Sequence, residues 1–371
     1  MSNEAVRTDA TTDATTDATV INISAIVVGC GRMGRLHARV YSQIPGVKLV
    51  AVVDADQETA ESVARDYGAK AYVSVEEMLK AQMPMTGVVV ATVAVPTTAH
   101  LAAAGALMRA GVCVLVEKPL AANSADCAEL VAIAKETGLT TMVGHIERFN
   151  PAVRALTQLG NETGKKAGDS SGISPGFIEV TRISPLTFRS IDVGVVLDMM
   201  IHDIDIVLQL AKSEVMRVEA TGVSVLSEAA EDVANARITF ANGCVANLTA
   251  SRLAMKTERK LRVFSDSAYV SLDYQKKYGI CIRKGKNLQA IRDVVDKIRT
   301  GEIDDISQVN YADLIEIQEL NIDDTEPLRA ELDAFVAAAR EKRASPVPFE
   351  DGLRAVEIAE QIVAAIPTKL V

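Results

Sequence analysis

A glycine-rich turn near the start of the chain reads Val27-Val28-Gly29-Cys30-Gly31-Arg32-Met33-Gly34 and fits the pattern GxGxxG. It joins a predicted strand, Ile21–Gly29, to a predicted helix, Met33–Gln43. In such a turn the first glycine allows the tight bend, the second lets the backbone approach a pyrophosphate, and the third lets the helix pack closely on the strand. The N–H groups and partial positive charge at the helix N-terminus then face the phosphates. The pattern predicts a dinucleotide site.

An acidic residue at the expected distance supports that interpretation. Asp54 lies 20 residues beyond Gly34, at the end of the next predicted strand, where a carboxylate accepts hydrogen bonds from the adenosine ribose. A carboxylate there repels a 2′-phosphate, so NAD is favoured over NADP, although Arg32 is near enough to approach such a phosphate. The competing interpretation, a glycine turn that serves packing alone, leaves the position of Asp54 unexplained.

Two domains are predicted from the order of the patterns. Apolar β-branched runs alternate with helical patterns over residues 21–145, which predicts a parallel, doubly wound α/β sheet, a Rossmann domain. Over residues 146–371, β-branched runs follow one another, and two helical patterns close the chain. They predict an α+β domain with a large, mostly antiparallel open sheet, and the C-terminal helices are free to pack back near the first domain. The open sheet face is expected to serve as an oligomer interface, because an open apolar face needs a cover.

Composition excludes several classes of protein. The chain has 371 residues, 49% of them hydrophobic and 24% charged, with a net charge of -10, which disfavours a nucleic-acid partner. No apolar run reaches the roughly 20 residues that span a bilayer, so no membrane partner is expected. Five cysteines without CxxC spacing indicate reduced thiols in the cytoplasm, and no cluster has metal-ligand spacing. Residues 1–20, with a repeated Thr-Asp-Ala-Thr unit, are expected to be a disordered tail.

Two segments carry candidate catalytic groups. Glu117-Lys118-Pro119 follows a buried strand, at the edge where ligands bind in an open α/β sheet, and an ammonium there can stabilise a developing alkoxide. A surface lysine in a loop is the equally open alternative. The predicted helix Val195–Leu210 carries Asp198 and His202 on one face, with Asp205 nearby. Because most other positions of that helix are apolar, its polar stripe is expected to face a cleft, where His202 can accept a hydroxyl proton. The alternative is a stripe that faces solvent.

Further candidates surround these segments. The junction Gly144–Pro151 offers His145, Arg148 and Asn150 as pocket-lining groups, or equally a structural hinge with Asn150 as a helix cap. Arg182 and Arg189 are candidates for binding an anionic part of the substrate, with solvated loop arginines as the alternative. His37 is expected in a surface or packing role. The predicted cofactor contacts are Gly29, Cys30, Gly31, Arg32, Met33, Gly34, Asp54, Thr92, Pro96, His100, Glu117 and Lys118. For His100, capping of the helix it begins is as open as cofactor contact.

Taken together, these motifs resemble those of the Gfo/Idh/MocA family of oxidoreductases. The resemblance rests on the glycine turn, Asp54, Glu117-Lys118-Pro119, the segment from Gly144 to Pro151, and the pair Asp198 and His202. It implies a Rossmann domain joined to a domain whose open sheet forms dimer or tetramer contacts. It also implies that Lys118 lies beside nicotinamide and substrate, and that Asp198 and His202 complete the catalytic group, with His202 as proton acceptor.

The resemblance also bears on the substrate. The stretch from Arg182 to Asp205, with Asp192 within it, looks most like members of the family that oxidise the 3-hydroxyl of a UDP-N-acetyl amino sugar with NAD. Arg182 and Arg189 would then bind the diphosphate. Two alternatives stay open: a dehydrogenase of inositol or another free sugar, and a dinucleotide-binding sensor without catalysis. Intact Lys118 and His202 count against the sensor.

Overall fold

The computed structural model describes residues 23–82, 84–162, 173–186, 193–226, 230–284, 288–302 and 315–367. The predicted tail and Arg189 lie outside these ranges. Within them, no helix is long and apolar enough to cross a bilayer.

The first domain is a six-stranded parallel sheet, as predicted. Its strands are β1 (Ile23–Val28), β2 (Val47–Val53), β3 (Lys70–Tyr72), β4 (Val88–Val93), β5 (Cys113–Glu117) and β6 (Thr141–Gly144). Its helices are α1 (Arg32–Gln43), α2 (Gln57–Tyr67), α3 (Val75–Gln82), α4 (His100–Arg109) and α5 (Ser124–Thr137). The spatial order β3-β2-β1-β4-β5-β6 reverses between β1 and β4, where ligands bind in doubly wound sheets. The sequence did not predict β3 and α3, because both are too short and polar to show a clear period.

The second domain is built on an eight-stranded sheet. Its strands are β7 (Pro175–Ile183), β8 (Val215–Val223), β9 (Val233–Phe240), β10 (Val245–Ser251), β11 (Glu258–Ser265), β12 (Ala268–Asp273), β13 (Tyr278–Lys284) and β14 (Ile315–Glu319). Their order is β14-β13-β12-β11-β7-β10-β9-β8, and only the central pair β7–β10 is parallel. The predicted mostly antiparallel sheet is thus confirmed, with β13 and β14 added at one edge. The accompanying helices are α6 (Pro151–Glu162), α7 (Ile201–Ala211) and α8 (Leu288–Arg299), of which α8 was not predicted.

Two C-terminal helices join the halves of the molecule. Helix α9 (Pro327–Glu341) packs on α1, and α10 (Phe349–Ala365) contacts α5 in the first domain and both α7 and β8 in the second. Just before α10, the Val347 carbonyl accepts a hydrogen bond from the Val143 N–H of β6 (2.9 Å). These helices therefore fix the relative position of the two sheets, and with it the shape of the cleft between them.

One buried acid in α9 couples this packing to pH. Glu331 is fully buried, and neither of its carboxyl oxygens has a hydrogen-bond partner among the described residues. Burial and then the negative charge of Glu117 raise the pKa of Glu331 well above its ordinary value. The folded protein therefore keeps this carboxyl protonated over part of the pH range in which the unfolded chain has ionised it.

Replacing Glu331 with Gln should raise the melting temperature, increasingly so at higher pH. Because the folded-state pKa lies above the unfolded-state value, the stability that the carboxyl contributes is present below the unfolded pKa and is lost as pH rises towards the folded pKa. We expect the gain over wild type, measured by calorimetry, to grow by about 2 °C or more between about pH 5 and pH 8. The exposed Glu341 on the same helix provides the control variant Glu341→Gln. A gain that does not change with pH would contradict the prediction.

Candidate active site

The glycine turn lies between the carboxyl ends of β1 and β4 and the N-terminus of α1. Gly29 has a φ of 92°, and a Cβ there would lie 2.4 Å from the Ala94 carbonyl oxygen. A Cβ at Gly34 would lie 1.7 Å from the Gly29 carbonyl oxygen, so only glycine permits this closeness of helix and strand. A Cβ at Gly31, by contrast, would meet nothing within 4 Å. The turn thus leaves open space over Gly31, beside the start of α1, which fits a pyrophosphate.

Asp54 stands beside that turn, as its spacing predicts. Its two carboxylate oxygens accept hydrogen bonds from the N–H groups of Cys30 (2.7 Å) and Asp56 (3.0 Å). Each oxygen retains a further lone pair for a ribose hydroxyl. The Cys30 thiol is buried against the Val53 carbonyl, so this residue faces the turn with its backbone alone. Arg32 is exposed at the first position of α1, and the half-buried Met33 follows it.

Two residues predicted to contact the cofactor lie inside the domain. The Thr92 hydroxyl is fully buried and is hydrogen-bonded to the Tyr41 hydroxyl (2.9 Å) and to His37 Nδ1 (3.2 Å). The buried His100 ring lies against the backbone carbonyls of Pro119 (3.0 Å) and Val95 (3.0 Å). Both side chains are thus bonded within the domain, and His100 holds the loop after β5 to the end of β4; the cofactor contacts of Thr92 and His100 stay predictions. Pro96, in contrast, is exposed at the carboxyl edge.

Glu117 is likewise turned into the domain. Its carboxylate lies 2.8 Å from His37 Nε2 and accepts a hydrogen bond from the Lys118 N–H (3.3 Å). Burial opposes ionisation of Glu117, but the His37 hydrogen bond and the charges of His37 and Lys118 outweigh it, so the pKa of Glu117 is below its ordinary value. His37 therefore has the packing role that the sequence allowed it. Its carboxylate thus binds His37 and the backbone of Lys118, and the expected cofactor contact of Glu117 stays a prediction.

Lys118 reaches from the first domain to the second. Its Nζ donates a hydrogen bond to the Asp198 backbone carbonyl (2.6 Å) and lies 3.3 Å from Asp198 Oδ1. The single helix predicted over Val195–Leu210 is observed as a wider π-helical turn, Val196–Met200, followed by α7. Such turns are common at functional sites. The structure thus brings the predicted lysine and aspartate together.

Two histidines border the same cleft. Nδ1 and Nε2 of His145, and Nδ1 of His202, are buried and have no hydrogen-bond partner among the described residues. Burial, then the charge of Lys118, lowers the pKa of His202 well below its ordinary value. Burial also lowers the pKa of His145, although Asp205, 4.0 Å away, opposes the shift. Neutral imidazoles with unused nitrogens fit a polar ligand in this cleft.

Arg148 has a structural role that the sequence did not predict. Its Nε donates to Asp205 Oδ2 (2.7 Å), its Nη2 to Asp205 Oδ1, and its Nη1 to Asp351 Oδ2 (2.7 Å) at the start of α10. The guanidinium thereby clamps the junction to α7 and α10, and the expected substrate contact of Arg148 stays a prediction. Asp205 binds this arginine.

Asn150 caps a helix, one of the two alternatives that the sequence left open. Its Oδ1 accepts a hydrogen bond from the Ala152 N–H (3.0 Å) at the start of α6, and its Nδ2 donates to Glu147 Oε2 (3.0 Å). The amide is therefore used for capping and for support of Glu147, and the expected substrate contact of Asn150 stays a prediction.

Arg182 is buried at the end of β7, with all three guanidinium nitrogens paired. Nε and Nη2 donate to the two oxygens of Asp203 (2.8 and 2.7 Å), and Nη1 donates to Glu147 Oε1 (3.0 Å). Buried charges persist only when they are paired, and this pairing is complete. Its three nitrogens thus donate to carboxylates of this chain, and the expected diphosphate contact of Arg182 stays a prediction. Its predicted companion Arg189 lies outside the described residues.

Sequence reasoning missed two side chains of the second domain, of which Arg259 is near enough to His202 for its charge to contribute to the lowered pKa of that imidazole. Arg259 on β11 is half exposed, and the Tyr274 hydroxyl beyond β12 is buried with no hydrogen-bond partner in the described ranges. A signal for Arg259 was present: it shares the strand phase of the buried Leu261 and Val263, so a charged group stands in an inward-facing position. Over the residues described, no cluster of three or more His, Cys, Asp or Glu is placed to hold a metal ion.

Comparison with known proteins identifies relatives along most of the chain. Residues 23–145 match a family described as an oxidoreductase family with an NAD-binding Rossmann fold, and residues 185–271 match the GFO/IDH/MocA C-terminal domain. The chain is 35% identical to UDP-N-acetylglucosamine 3-dehydrogenase of Acidithiobacillus ferrooxidans over 69% of its length and 75% of that protein. It is 26% identical to inositol 2-dehydrogenase of Rhizobium meliloti over 92% of this chain and 96% of that protein.

A solved structure extends the first likeness to the whole fold. The structure of UDP-N-acetylglucosamine 3-dehydrogenase from Acidithiobacillus ferrooxidans superposes with a TM-score of 0.76 at 28% sequence identity. The superposition covers 92% of this chain and 97% of that one.

Two alanine variants separate folding from cofactor binding in the glycine turn. Gly31→Ala should change the melting temperature by about 1 °C or less, because its Cβ meets nothing within 4 Å, but it should weaken NADH binding about 10-fold or more by intruding on the pyrophosphate. Gly34→Ala should lower both, because its Cβ would collide with the Gly29 carbonyl. Thermal melts and NADH fluorescence titrations measure the two effects. Unchanged NADH affinity in Gly31→Ala would place the pyrophosphate elsewhere.

Proposed function

This chain belongs to the Gfo/Idh/MocA family of NAD-binding oxidoreductases, and from that premise we propose that it oxidises the 3-hydroxyl of a UDP-N-acetyl amino sugar with NAD. One observation carries the catalytic part of the proposal. The Lys118 ammonium of the first domain donates a hydrogen bond to the Asp198 backbone in the second, and burial and then the charge of Lys118 lower the pKa of His202, four residues further along.

In the proposed reaction, His202 accepts the proton of the sugar hydroxyl. The lowered pKa keeps the imidazole unprotonated at neutral pH, and its free Nδ1 is a hydrogen-bonding position within the cleft. Lys118 donates a hydrogen bond to the same oxygen and stabilises the negative charge that develops as the proton leaves. NAD, when bound, accepts the hydride from the carbon.

Asp198 is proposed to position Lys118. Its carbonyl and its carboxylate both contact Nζ, at 2.6 and 3.3 Å, and thereby limit the directions that the flexible lysine can take. The side chain of Asp198 is 38% exposed and therefore also accessible to a substrate hydroxyl. Asp198 lies in the π-helical turn, which places it against Lys118, and His202 lies in the following helix α7.

The preference for NAD over NADP is proposed from Asp54. Two backbone N–H groups hold its carboxylate beside the glycine turn, where it would accept hydrogen bonds from the ribose and repel a 2′-phosphate. The exposed Arg32 has no described contact that directs it towards this position.

The identity of the sugar rests on likeness. The relative that is 35% identical to this chain and the solved structure that superposes with a TM-score of 0.76 are both named for UDP-N-acetylglucosamine, which supports a nucleotide sugar. The second candidate, inositol, is supported by the inositol 2-dehydrogenase that aligns with nearly the whole chain. A sensor without catalysis has no use for the paired Lys118 and His202.

We also propose an oligomeric state and a cellular location for the protein. The open face of the large sheet exposes Met216, Phe264 and Ile317, which favours a homodimer or homotetramer. All five cysteines are free thiols, as is usual for the cytoplasm.

The role of His202 predicts a pH profile. In wild type, the acid limb of kcat/KM should lie below about pH 6.5, because burial and Lys118 lower the pKa of the imidazole. His202→Ala should lower kcat by about 10²–10⁴ and leave the Kd for NAD unchanged. In Lys118→Met the residual limb should move to higher pH, because one positive charge is removed. An acid limb at the same pH in wild type and in Lys118→Met would exclude an effect of the Lys118 charge on the pKa of His202.

A substrate panel tests the proposed reaction. NADH absorbance should rise with UDP-N-acetylglucosamine and stay near background with myo-inositol and free N-acetylglucosamine, with a difference in kcat/KM of about 100-fold or more. Turnover of inositol without turnover of the UDP-sugar would select the second candidate. NAD binding without turnover of any member would favour the sensor.

A further inference from the structure

We propose that Arg259 and Tyr274 form an anion-binding subsite that holds the phosphate groups of the substrate beside the catalytic cleft. The inference deepens the proposed function and rests on it for the identity of the substrate, but the phosphate chemistry can be tested alone. It replaces Arg182, which the sequence suggested for this task and which the structure shows to be fully paired.

Strand register places the two residues in one row with Arg182. Arg182 on β7 lies opposite Arg259 on β11, and the Tyr274 N–H donates to the Arg259 carbonyl (3.0 Å) across the next strand. Leu261 and Val263, which share the phase of Arg259, are buried between the sheet and the helices. Arg259 therefore projects from the helix-covered face, at the end of the sheet where α7 begins.

Arg259 is the arginine of this row whose donors remain available. Its only described ion pair is with Glu147 Oε1 at 3.8 Å, and that carboxylate already accepts from Arg182 and Asn150 at 3.0 Å. Within the described ranges, the Arg259 guanidinium makes no hydrogen bond, and its side chain is 48% exposed. Five N–H donors in a planar fork match two phosphate oxygens.

Tyr274 adds an unpaired donor in the same row of the sheet as Arg259. The residue is 7% exposed, yet its hydroxyl has no hydrogen-bond partner among the described residues. Burial and the negative charges of Asp203 and Glu147 raise the pKa of Tyr274 well above its ordinary value, so the hydroxyl stays protonated and can donate. A buried O–H without a partner is costly, and a ligand oxygen would relieve that cost.

The charges around this row favour an anion at its exposed end. Arg182 neutralises Asp203 with two hydrogen bonds and shares Glu147 with Arg259, so two positive and two negative side chains balance inside. Arg259 is the exposed member, which leaves a positive pole at the surface of the cleft. It is near enough that its charge contributes to the lowered pKa of His202. An anion held there would lie beside the reacting hydroxyl.

The experiment measures binding of inorganic pyrophosphate and of UDP to the enzyme saturated with NADH, by calorimetry. Saturation with NADH keeps the probes out of the glycine turn. Arg259→Gln should weaken both ligands about 10-fold or more, and Tyr274→Phe should weaken them several-fold. Arg262→Gln is the matched control: it lies on the same strand, on the opposite face, paired with Glu179 at 2.8 Å. It should bind both probes as wild type does.

Each outcome bears on one claim. Equal affinity in Arg259→Gln and wild type, or an equal loss in Arg262→Gln, would overturn the subsite. If Arg259→Gln fails to fold, Arg259→Lys keeps the charge without the two-pronged fork, and wild-type affinity in that variant would also overturn it. Loss of pyrophosphate binding in an enzyme that oxidises no sugar would support the subsite and refute the proposed function. Turnover of UDP-N-acetylglucosamine with an unchanged KM in Arg259→Gln would support the proposed function and refute the subsite.

Discussion

The contact between Lys118 and Asp198 constrains how the two domains are positioned relative to each other. It joins the carboxyl end of β5 in one domain to a π-helical turn in the other, and it places an ammonium next to an uncharged imidazole. The distance between the two sheets must be short enough for Lys118 to contact Asp198. Helices α9 and α10 set that distance, because they pack on both domains. The catalytic geometry is therefore a property of interdomain packing as much as of any motif.

Buried polar pairs next to the cleft fix the elements that line it. Arg148 links the junction to α7 and α10, Arg182 links β7 to α7, and His37 holds Glu117 within the first domain. Each charge is paired, because an unpaired charge in a desolvated position costs several kcal/mol. Such pairing keeps these groups from the ligand but fixes the backbone that carries Lys118 and His202. The groups proposed to bind a ligand are those that make no hydrogen bond among the described residues: His145, Nδ1 of His202, the Arg259 guanidinium and the Tyr274 hydroxyl.

Family membership and the local geometry both indicate an oxidoreductase that uses NAD. The remaining question is which residues select the substrate. The glycine turn and Asp54 are the residues proposed for the cofactor, and the inner face of the second sheet is the surface proposed for the substrate. A family that keeps one cofactor and changes its sugar is expected to vary in that second sheet. If Arg259 binds phosphate as proposed, this chain selects its substrate by charge more than by the sugar ring.

The sequence by itself determined the features set by local patterns: the parallel sheet, the glycine turn with Asp54, the lysine after β5 and the histidine of α7. These depend on spacing within one strand–turn–helix unit or on the period of one helix, so neighbouring residues reveal them. Tertiary structure alone decided the use of Arg148 and Arg182, the π-helical turn and the row containing Arg259. Arg148 meets Asp205 57 positions along the chain, and Arg182 meets Asp203 21 positions along. An arginine that binds phosphate and one that binds a buried carboxylate have the same letter in the sequence, and only the partner that folding brings to it distinguishes them.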